Sequence, residues 1–527
     1  MRTFLFNIIK MKKLKLVSLA IAMACATPSL AGGLLTNTNQ HVAFNRMMSR
    51  EASIGIDGVY YNPAGVVFMG EGKHLAINWQ LAYQTRSIEN DYPLFTNNVN
   101  NPTTPREFKG KAFAPVIPSF QYAYNKGRWS LQAGFALTGG GGKCTFDDGL
   151  GSFEKIVAET ALAACQLAGA VDQVAAQYHV PAVFTSNDKF GKEGKYSYNS
   201  YMHGRQYYYG LSLGAAYKFS DNFSAFAGVR GIYASTNYYG YVENIKVGAM
   251  PLYMVLDPTK ETAANIELSC DQSGVGFTPI IGVDFKTGKW NFAAKYEFKT
   301  RIRLKNKSVN QAPSIGNLPD NLRNAYIAGG VPEAAADAII GNPVIQGAMG
   351  QLKTQFDAKL EEAIGEYEDG KKIAGDIPAY LALGVGYSPV NAVRVNVGFH
   401  WFDDKHATSY NNRQEKLDRG TLEYNAGIEV DVNKKITLST GWQNTNYGLS
   451  DEYMDDKSFV VSSNSAAIGG VYHINKKMDL NVAYFHTFYQ HKKTSEKVQL
   501  TEQKSINYSS DYTRNNNVFA VGLDINF

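Results

Sequence analysis

The chain has 527 residues, of which 44% are hydrophobic and only 19% charged, with a formal net charge of +5. The charged fraction lies below the rough quarter usual in soluble domains, and the scattered positive charge forms no basic block for nucleic acid. Four cysteines exclude a disulfide scaffold, 49 glycines without a repeat exclude a collagen, and 33 Tyr with 28 Phe exclude a disordered chain.

At the amino terminus, Met11-Lys12-Lys13-Leu14-Lys15 is a basic segment, Leu16 to Ala26 is apolar, and Ser29-Leu30-Ala31 places small residues at a cleavage site. This order predicts a signal peptide over 1–31, with Met11 an alternative start. Cys25 follows Ala22-Met23-Ala24, a poor lipobox. Cleavage leaves Cys144, Cys165 and Cys270, which allow at most one internal bridge. Cys144 and Cys165 share one long connection and are the expected pair. Beyond the leader no uninterrupted apolar run of about 18 residues occurs, which excludes a helical membrane bundle but not a membrane β-barrel.

Gly32 to Gly70 lacks alternation. It holds polar Thr36 to His41, a short helical stretch, Ile54-Gly55-Ile56-Asp57-Gly58, and then Tyr61-Asn62-Pro63-Ala64-Gly65, where Asn-Pro initiates a turn. By itself this segment reads as a loop that leads into the first strand.

From Lys73 onward apolar and small or polar residues alternate, the pattern of strands with unlike faces. Tyr207, Tyr209, Leu211, Leu213, Ala215, Tyr217 and Phe219 share one face; Tyr208, Gly210, Ser212, Gly214, Ala216 and Lys218 share the other. Phe519, Val521, Leu523, Ile525 and Phe527 repeat the pattern at the end, and similar ladders run through 129–137, 393–401, 422–430 and 480–484. Short turns such as Asn125-Lys126-Gly127-Arg128 and Lys286-Thr287-Gly288-Lys289 alternate with long connections near 90–109, 139–196, 243–273 and 305–371. Some fourteen strands, an even number, with tight turns at one end and large loops at the other, predict an all-β antiparallel transmembrane barrel. A soluble sandwich or propeller explains the turn asymmetry less well. Trp79, Trp129, Trp290, Trp401 and Trp442 suit aromatic girdles, and helical patterns at 158–177 and 331–367 fall inside two long loops.

Several segments together resemble the FadL family of outer-membrane channels for long-chain fatty acids and other hydrophobic compounds. They are Ala31-Gly32-Gly33, Asn45-Arg46 with Ser49 and Glu51, and Asn62-Pro63-Ala64-Gly65; then Ile377-Pro378, Leu383-Gly384-Val385 and Tyr387-Ser388-Pro389; and Asn425-Ala426-Gly427, Ala467-Ile468-Gly469 and Ala520-Val521-Gly522 with Phe527. The resemblance spans the mature chain, although the loops diverge. It implies a fourteen-stranded barrel over 73–527 in the outer membrane of a Gram-negative cell, with its lumen closed by an N-terminal hatch over 32–72. It also implies passive capture of a hydrophobic ligand at the loops, binding in the lumen and exit sideways through the wall. Gly33, Leu34, Leu35, Arg46, Glu51, Asn62, Pro63, Ala64 and Gly65 would serve the hatch and its gating. One departure stands out: Gly33-Leu34-Leu35 replaces the aromatic that fatty-acid members carry near the new terminus, which puts that particular ligand in doubt.

Candidate lining residues come from alternation. If Trp290, Phe292, Ala294, Tyr296 and Phe298 face lipid, then Lys295, Glu297, Lys299, Arg301 and Arg303 face the lumen, because a basic residue on the lipid side near the midplane costs about 2–4 kcal/mol. Arg230 and Arg394 fall on inward positions as well. Lys299, Arg301, Arg230 and Lys295 are thus candidates for pairing with a substrate carboxylate, or for structural ion pairs with Glu297, Asp57 and Glu429. Tyr208, Phe226 and Phe485, with Leu34, Leu35, Phe44, Met47 and Met48, supply apolar lining, either for a ligand tail or for the hatch's own packing.

No catalytic set emerges, so a non-enzyme is expected. Gly210-Leu211-Ser212-Leu213-Gly214 matches a hydrolase motif but continues as a strand without the required elbow. Gly139-Gly140-Gly141-Gly142-Lys143 fails as a phosphate loop, since Leu137 and Cys144 stand at key positions. The nine histidines show no metal spacing, Asp403-Asp404 with His406 reads as a solvated rim, and no cofactor is expected. The expected partners are a hydrophobic small molecule and outer-membrane lipid and lipopolysaccharide, with the chain a monomer. The competing reading is a surface binding protein or adhesin that works through its large loops.

Overall fold

Because successive side chains in a strand point to opposite faces, a chain that alternates greasy and small residues can wrap one face outward and one inward. The computed structural model describes residues 35–36, 39–350, 353–354, 365–501 and 504–527. The signal-peptide segment, Gly33 and Leu34 lie outside them. The alternating segments close into a 14-stranded antiparallel barrel.

In chain order the staves are β1 Gly72–Asp91, β2 Arg106–Lys126, β3 Trp129–Phe146, β4 Tyr196–Lys218, β5 Phe223–Val247 and β6 Ile266–Thr287. Next come β7, in two pieces Trp290–Glu297 and Arg303–Gln311, and β8, in two pieces Lys372–Ala374 and Tyr380–Val390. The rest are β9 Val393–Phe402, β10 Arg419–Asn433, β11 Ile436–Gly448, β12 Ser463–Asn475, β13 as Met478–Tyr489 and Lys492–Thr501, and β14 Lys504–Asn526. Closure is by β1 on β14, in continuous register from His74 opposite Asn526 to Asp91 opposite Ser509. The first and last staves thus pair with each other, and neither is left as a free outer edge.

The outward face is apolar. Leu211, Leu213, Val229, Phe277, Ile468 and Phe519 are all exposed, a continuous band that lipid covers and water would not. At the short-turn end, Trp129 meets Tyr217 with ring centroids 4.7 Å apart, Tyr217 meets Phe219, and Trp290 meets Tyr387 at 4.3 Å, forming part of an aromatic girdle. Trp79 and Trp442 instead lie within their strands.

The strands reach further into the long connections than alternation suggests. What remains of those loops folds into a cap of helices: α2 Gly151–Ala176, longer than the expected 158–177, then α3 Tyr253–Leu256, α4 Leu318–Ala328 and α5 Glu333–Ile340. Arg323 joins α4 to Glu333 and Asp337 of α5. The alanine-rich face of α2 packs with Leu252, Leu256, Leu318 and Leu322 into the largest apolar cluster of the molecule.

Two expectations are corrected. The strand from Lys289 to Lys305 is not continuous; it breaks at 298–302 and resumes one residue out of phase. Lys295 and Glu297 are buried inside, but beyond the break Thr300, Ile302 and Leu304 take the inner positions, and Arg301 and Arg303 are exposed outside. The cause lies in the neighbouring staves. Pro279 on β6 and Pro378 between the two pieces of β8 lack the N–H groups a continuous ladder needs, and Asp376 fills the interruption by accepting from the Ile302 amide and from Arg303. The second correction concerns the thiols. Cys144, Cys165 and Cys270 are free: Cys144 sits on β3, while Cys165 sits on α2 with its Sγ against the Phe190 carbonyl.

Candidate functional site

The lumen has two floors. On the short-turn side it is filled by residues 39–70, whose only α-helix is α1, Val42–Met47, among the described residues. His41 caps α1 by accepting the Ala43 amide on Nδ1 at 2.9 Å, and Met48 reverses the chain at φ 59°. The helix lies so close to the wall that a Cβ at Gly427 or Gly441 would run into the Met47 carbonyl, so only glycine fits there.

Polar side chains bolt this hatch to the staves. Glu429 of β10 accepts from Arg46 and, at 2.7 Å, from Arg50, whose other nitrogens hold Asp57. Glu51 meets His400 Nε2 at 2.7 Å while His400 Nδ1 meets Glu423 at 2.8 Å. In the Asn62-Pro63-Ala64-Gly65 turn, Asn62 donates to Asp284 at 2.6 Å and accepts the Gly65 amide. The Pro63 carbonyl accepts from Gln132 and the Ala64 carbonyl from Ser224. Arg46, Glu51, Asn62, Pro63, Ala64 and Gly65 are thus all hatch-to-wall or turn residues.

Arg230 and Lys295 belong to the same bolting. Arg230 clasps Glu297 with both terminal nitrogens at 2.6 and 3.1 Å, and Lys295 donates to Glu297 at 2.9 Å and to the Tyr60 carbonyl at 2.7 Å. Both cations stack on the Tyr60 ring. Neither is left to a ligand. Phe226 packs on Ala64 and Val67 of the hatch; Tyr208 packs near Leu35, and its hydroxyl has no hydrogen-bond partner among the described residues. Lys299 donates to the His406 carbonyl near the loop rim, where His406 and Asp403 form the exposed pair expected of a rim, and Arg301 is on the outside. Of the sequence candidates outside the hatch, Phe485 alone lines the open space above it.

That space is a cavity of about 220 Å³ between hatch and cap, lined by Phe146, Met202, Tyr238, Phe459, Phe485 and Val518 among others. One side of it is β2 and β3, and here the wall is incomplete. These staves pair from Gly110–Phe146 to Ala112–Cys144 and again from Ser119–Ala136 to Lys126–Trp129, with nothing paired between. The unpaired stretch of β3 holds Gly139, Gly140, Gly141 and Gly142, with two register shifts against β4 as well. Gly140 and Gly142 have φ of 94° and 75°, conformations that side chains resist. The run that fails as a phosphate loop is therefore the place where the wall's ladder opens. Val116, beside this unpaired stretch, lines the cavity and is 61% exposed.

Comparison with solved structures places this architecture. A Pseudomonas aeruginosa FadL homologue superposes with a TM-score of 0.59 at 13% identity, covering 94% of this chain and all of that one. The fold is that of FadL-type channels. The deltaS2S3 mutant of the TodX monoaromatic hydrocarbon channel matches with a TM-score of 0.51 at 13% identity, over 92% of this chain and 98% of its own. No family model matches the chain, and no curated protein matches it. On a FadL-type barrel, sequence reasoning located the hatch contacts and missed the seam and the basic groups of the cavity, Arg86 and Arg514.

Proposed function

We propose that the protein is a passive outer-membrane channel for hydrophobic small molecules, with long-chain fatty acids or related amphiphiles as the class carried. A ligand enters through the loop cap, rests in the cavity above the hatch, and leaves sideways between β2 and β3 into the bilayer. The observation that carries this reading is the cavity's position: a bolted hatch lies beneath it and an unpaired, glycine-lined seam opens beside it. The names of the similar channels, a FadL homologue and a monoaromatic hydrocarbon channel, support the same class. Each methylene that leaves water gains about 0.8 kcal/mol, so an apolar chain has reason to pass from cavity to lipid, whereas the route through the hatch is polar and filled.

The seam supplies its own test. A Cβ at Gly142 would lie 3.7 Å from that of Ala114, within the span a disulfide needs. In a Cys144→Ser background, oxidised Ala114→Cys/Gly142→Cys should lose uptake of a radiolabelled fatty acid into cells, and a reducing agent should restore it. Uptake unchanged by the bridge would refute lateral exit at this seam.

A further inference from the structure

The phase shift in β7 places a row of cations on the outer face of the wall. Beyond the break, Arg301, Arg303, Lys305 and Lys307 all point outward and are exposed, as is Lys372 of β8, which stands directly opposite Lys305. On β6, Ser273 and Asp271 pair with Lys305 and Lys307, one step past Val275 and Phe277, which are 65% and 69% exposed. From Phe285 up to Val275, β6 rises about 25 Å along the axis for a strand tilted by about 40°, the full height of a barrel's lipid-facing band. The lysines therefore begin where hydrocarbon ends and lipid heads start, at the long-loop end that faces the cell exterior.

Few acids offset this row. Arg303 donates to the buried Asp376 at 2.7 Å, which Lys299 also approaches at 3.9 Å, and Asp271 accepts instead from Asn237 at 2.9 Å. Among the described residues no ion pair holds Arg301, Lys305, Lys307 or Lys372. Like charges directly opposite on one face of a strand pair, as Lys305 and Lys372 are, weaken the pairing, and an anion between them reverses that effect. Further round the barrel, the outward loop-end residues of β11 and β12 are Asn444, Asn446 and Asn464, so the charge is not a uniform belt.

We infer that Arg301, Arg303, Lys305, Lys307 and Lys372 form a docking surface for lipopolysaccharide. The cations grip the phosphates on its glucosamine head, and its acyl chains lie on Val275 and Phe277. Cations at every second residue of a strand stand about 7 Å apart, so the row reaches more than one phosphate of the same head. Each phosphate oxygen can accept a charge-assisted hydrogen bond, and every basic group near a lipid surface adds to the attraction. The inference concerns the outer face of the wall and holds whatever the lumen carries.

The test is native mass spectrometry of the full-length protein in uncharged detergent, titrated with three probes. These are bisphosphorylated lipid A (the phosphate-bearing anchor of lipopolysaccharide), the same lipid with both phosphates removed, and dioleoylphosphatidylglycerol. Wild-type protein should bind the bisphosphorylated lipid at least about tenfold more tightly than either of the others. Lys305→Gln/Lys307→Gln/Lys372→Gln should weaken that binding by about tenfold or more and leave the dephosphorylated lipid unchanged. Lys434→Gln/Lys435→Gln/Lys476→Gln, the same loss of charge at the short turns, should alter neither. Equal binding of the phosphorylated and dephosphorylated lipids by the wild type would overturn the site. Equal binding of lipid A and phosphatidylglycerol would overturn it too, since the patch would then attract any anionic lipid; neither arm needs a variant. An unchanged patch variant, or an equal loss in the short-turn variant, would overturn the assignment to these lysines.

Discussion

The two floors of this barrel are built from the same staves and the same alternation, yet they treat charge in opposite ways. On the turn side, Glu429, Glu297, Asp57 and Glu51 each hold a cation or a histidine, so the hatch is sealed by groups that satisfy one another. On the loop side, Arg86 and Arg514 face each other without an acid, beneath a cap whose interior is mostly alanine, valine, leucine and isoleucine. A buried network with every member satisfied leaves no group over, whereas an unmatched buried charge carries an uncompensated desolvation cost. The difference between plug and pocket is thus in how the charges are matched, not in the scaffold.

The strongest way to break this contrast is to unmatch the plug. Glu429→Ala leaves Arg46 without its carboxylate and Arg50 with Asp57 alone; the barrel should lose about 3–5 kcal/mol, read as an earlier loss of the compact, heat-modifiable form on electrophoresis. Arg514→Gln, the corresponding change in the cavity, should leave that transition within about 0.5 kcal/mol of wild type. Equal losses in both variants would mean that the two floors do not differ in the way described.

A smaller effect comes from the loops. Burial pushes the Glu366 carboxyl up to about 8, and among the described residues its Oε1 has no hydrogen-bond partner. The folded cap therefore keeps a proton that the unfolded chain releases near its ordinary value of 4.5. The stabilisation this proton brings is complete below that value and is lost as pH rises through the folded value. Proteolysis of the loops should accelerate between about pH 4.5 and pH 8 in the wild type and stay level in Glu366→Gln. The smallest expected change is at Tyr208, whose buried hydroxyl has no partner among the described residues: Tyr208→Phe should match or slightly exceed wild-type stability, within about 0.5 kcal/mol. A larger loss would reveal a partner for that hydroxyl.

Alternation made the barrel legible because its outer face must be apolar at every second residue, and the Asn62-Pro63-Ala64-Gly65 turn announced the hatch. Alternation also misplaced Arg301: counting by twos assumes an unbroken ladder, and Pro279 and Pro378 in the flanking staves break it. Arg86 and Arg514 were invisible for a different reason. Each is an ordinary arginine within a polar stretch, and only closure of the first stave on the last brings them face to face. The glycine run of β3 resembles a phosphate loop in composition, but it lies on a strand, in the stretch left unpaired with β2.

On the proposed route, ligand stays above the hatch and leaves through the wall. Photo-cross-linking tests it most directly, with a diazirine-bearing dodecanoate added to the protein in nanodiscs and the adducts located by mass spectrometry. The account predicts adducts along Val116, Leu137, Phe459 and Phe485 and none on Asn62, Gln132 or Asp284. Adducts on those last three would show ligand passing straight down through the hatch and would contradict it.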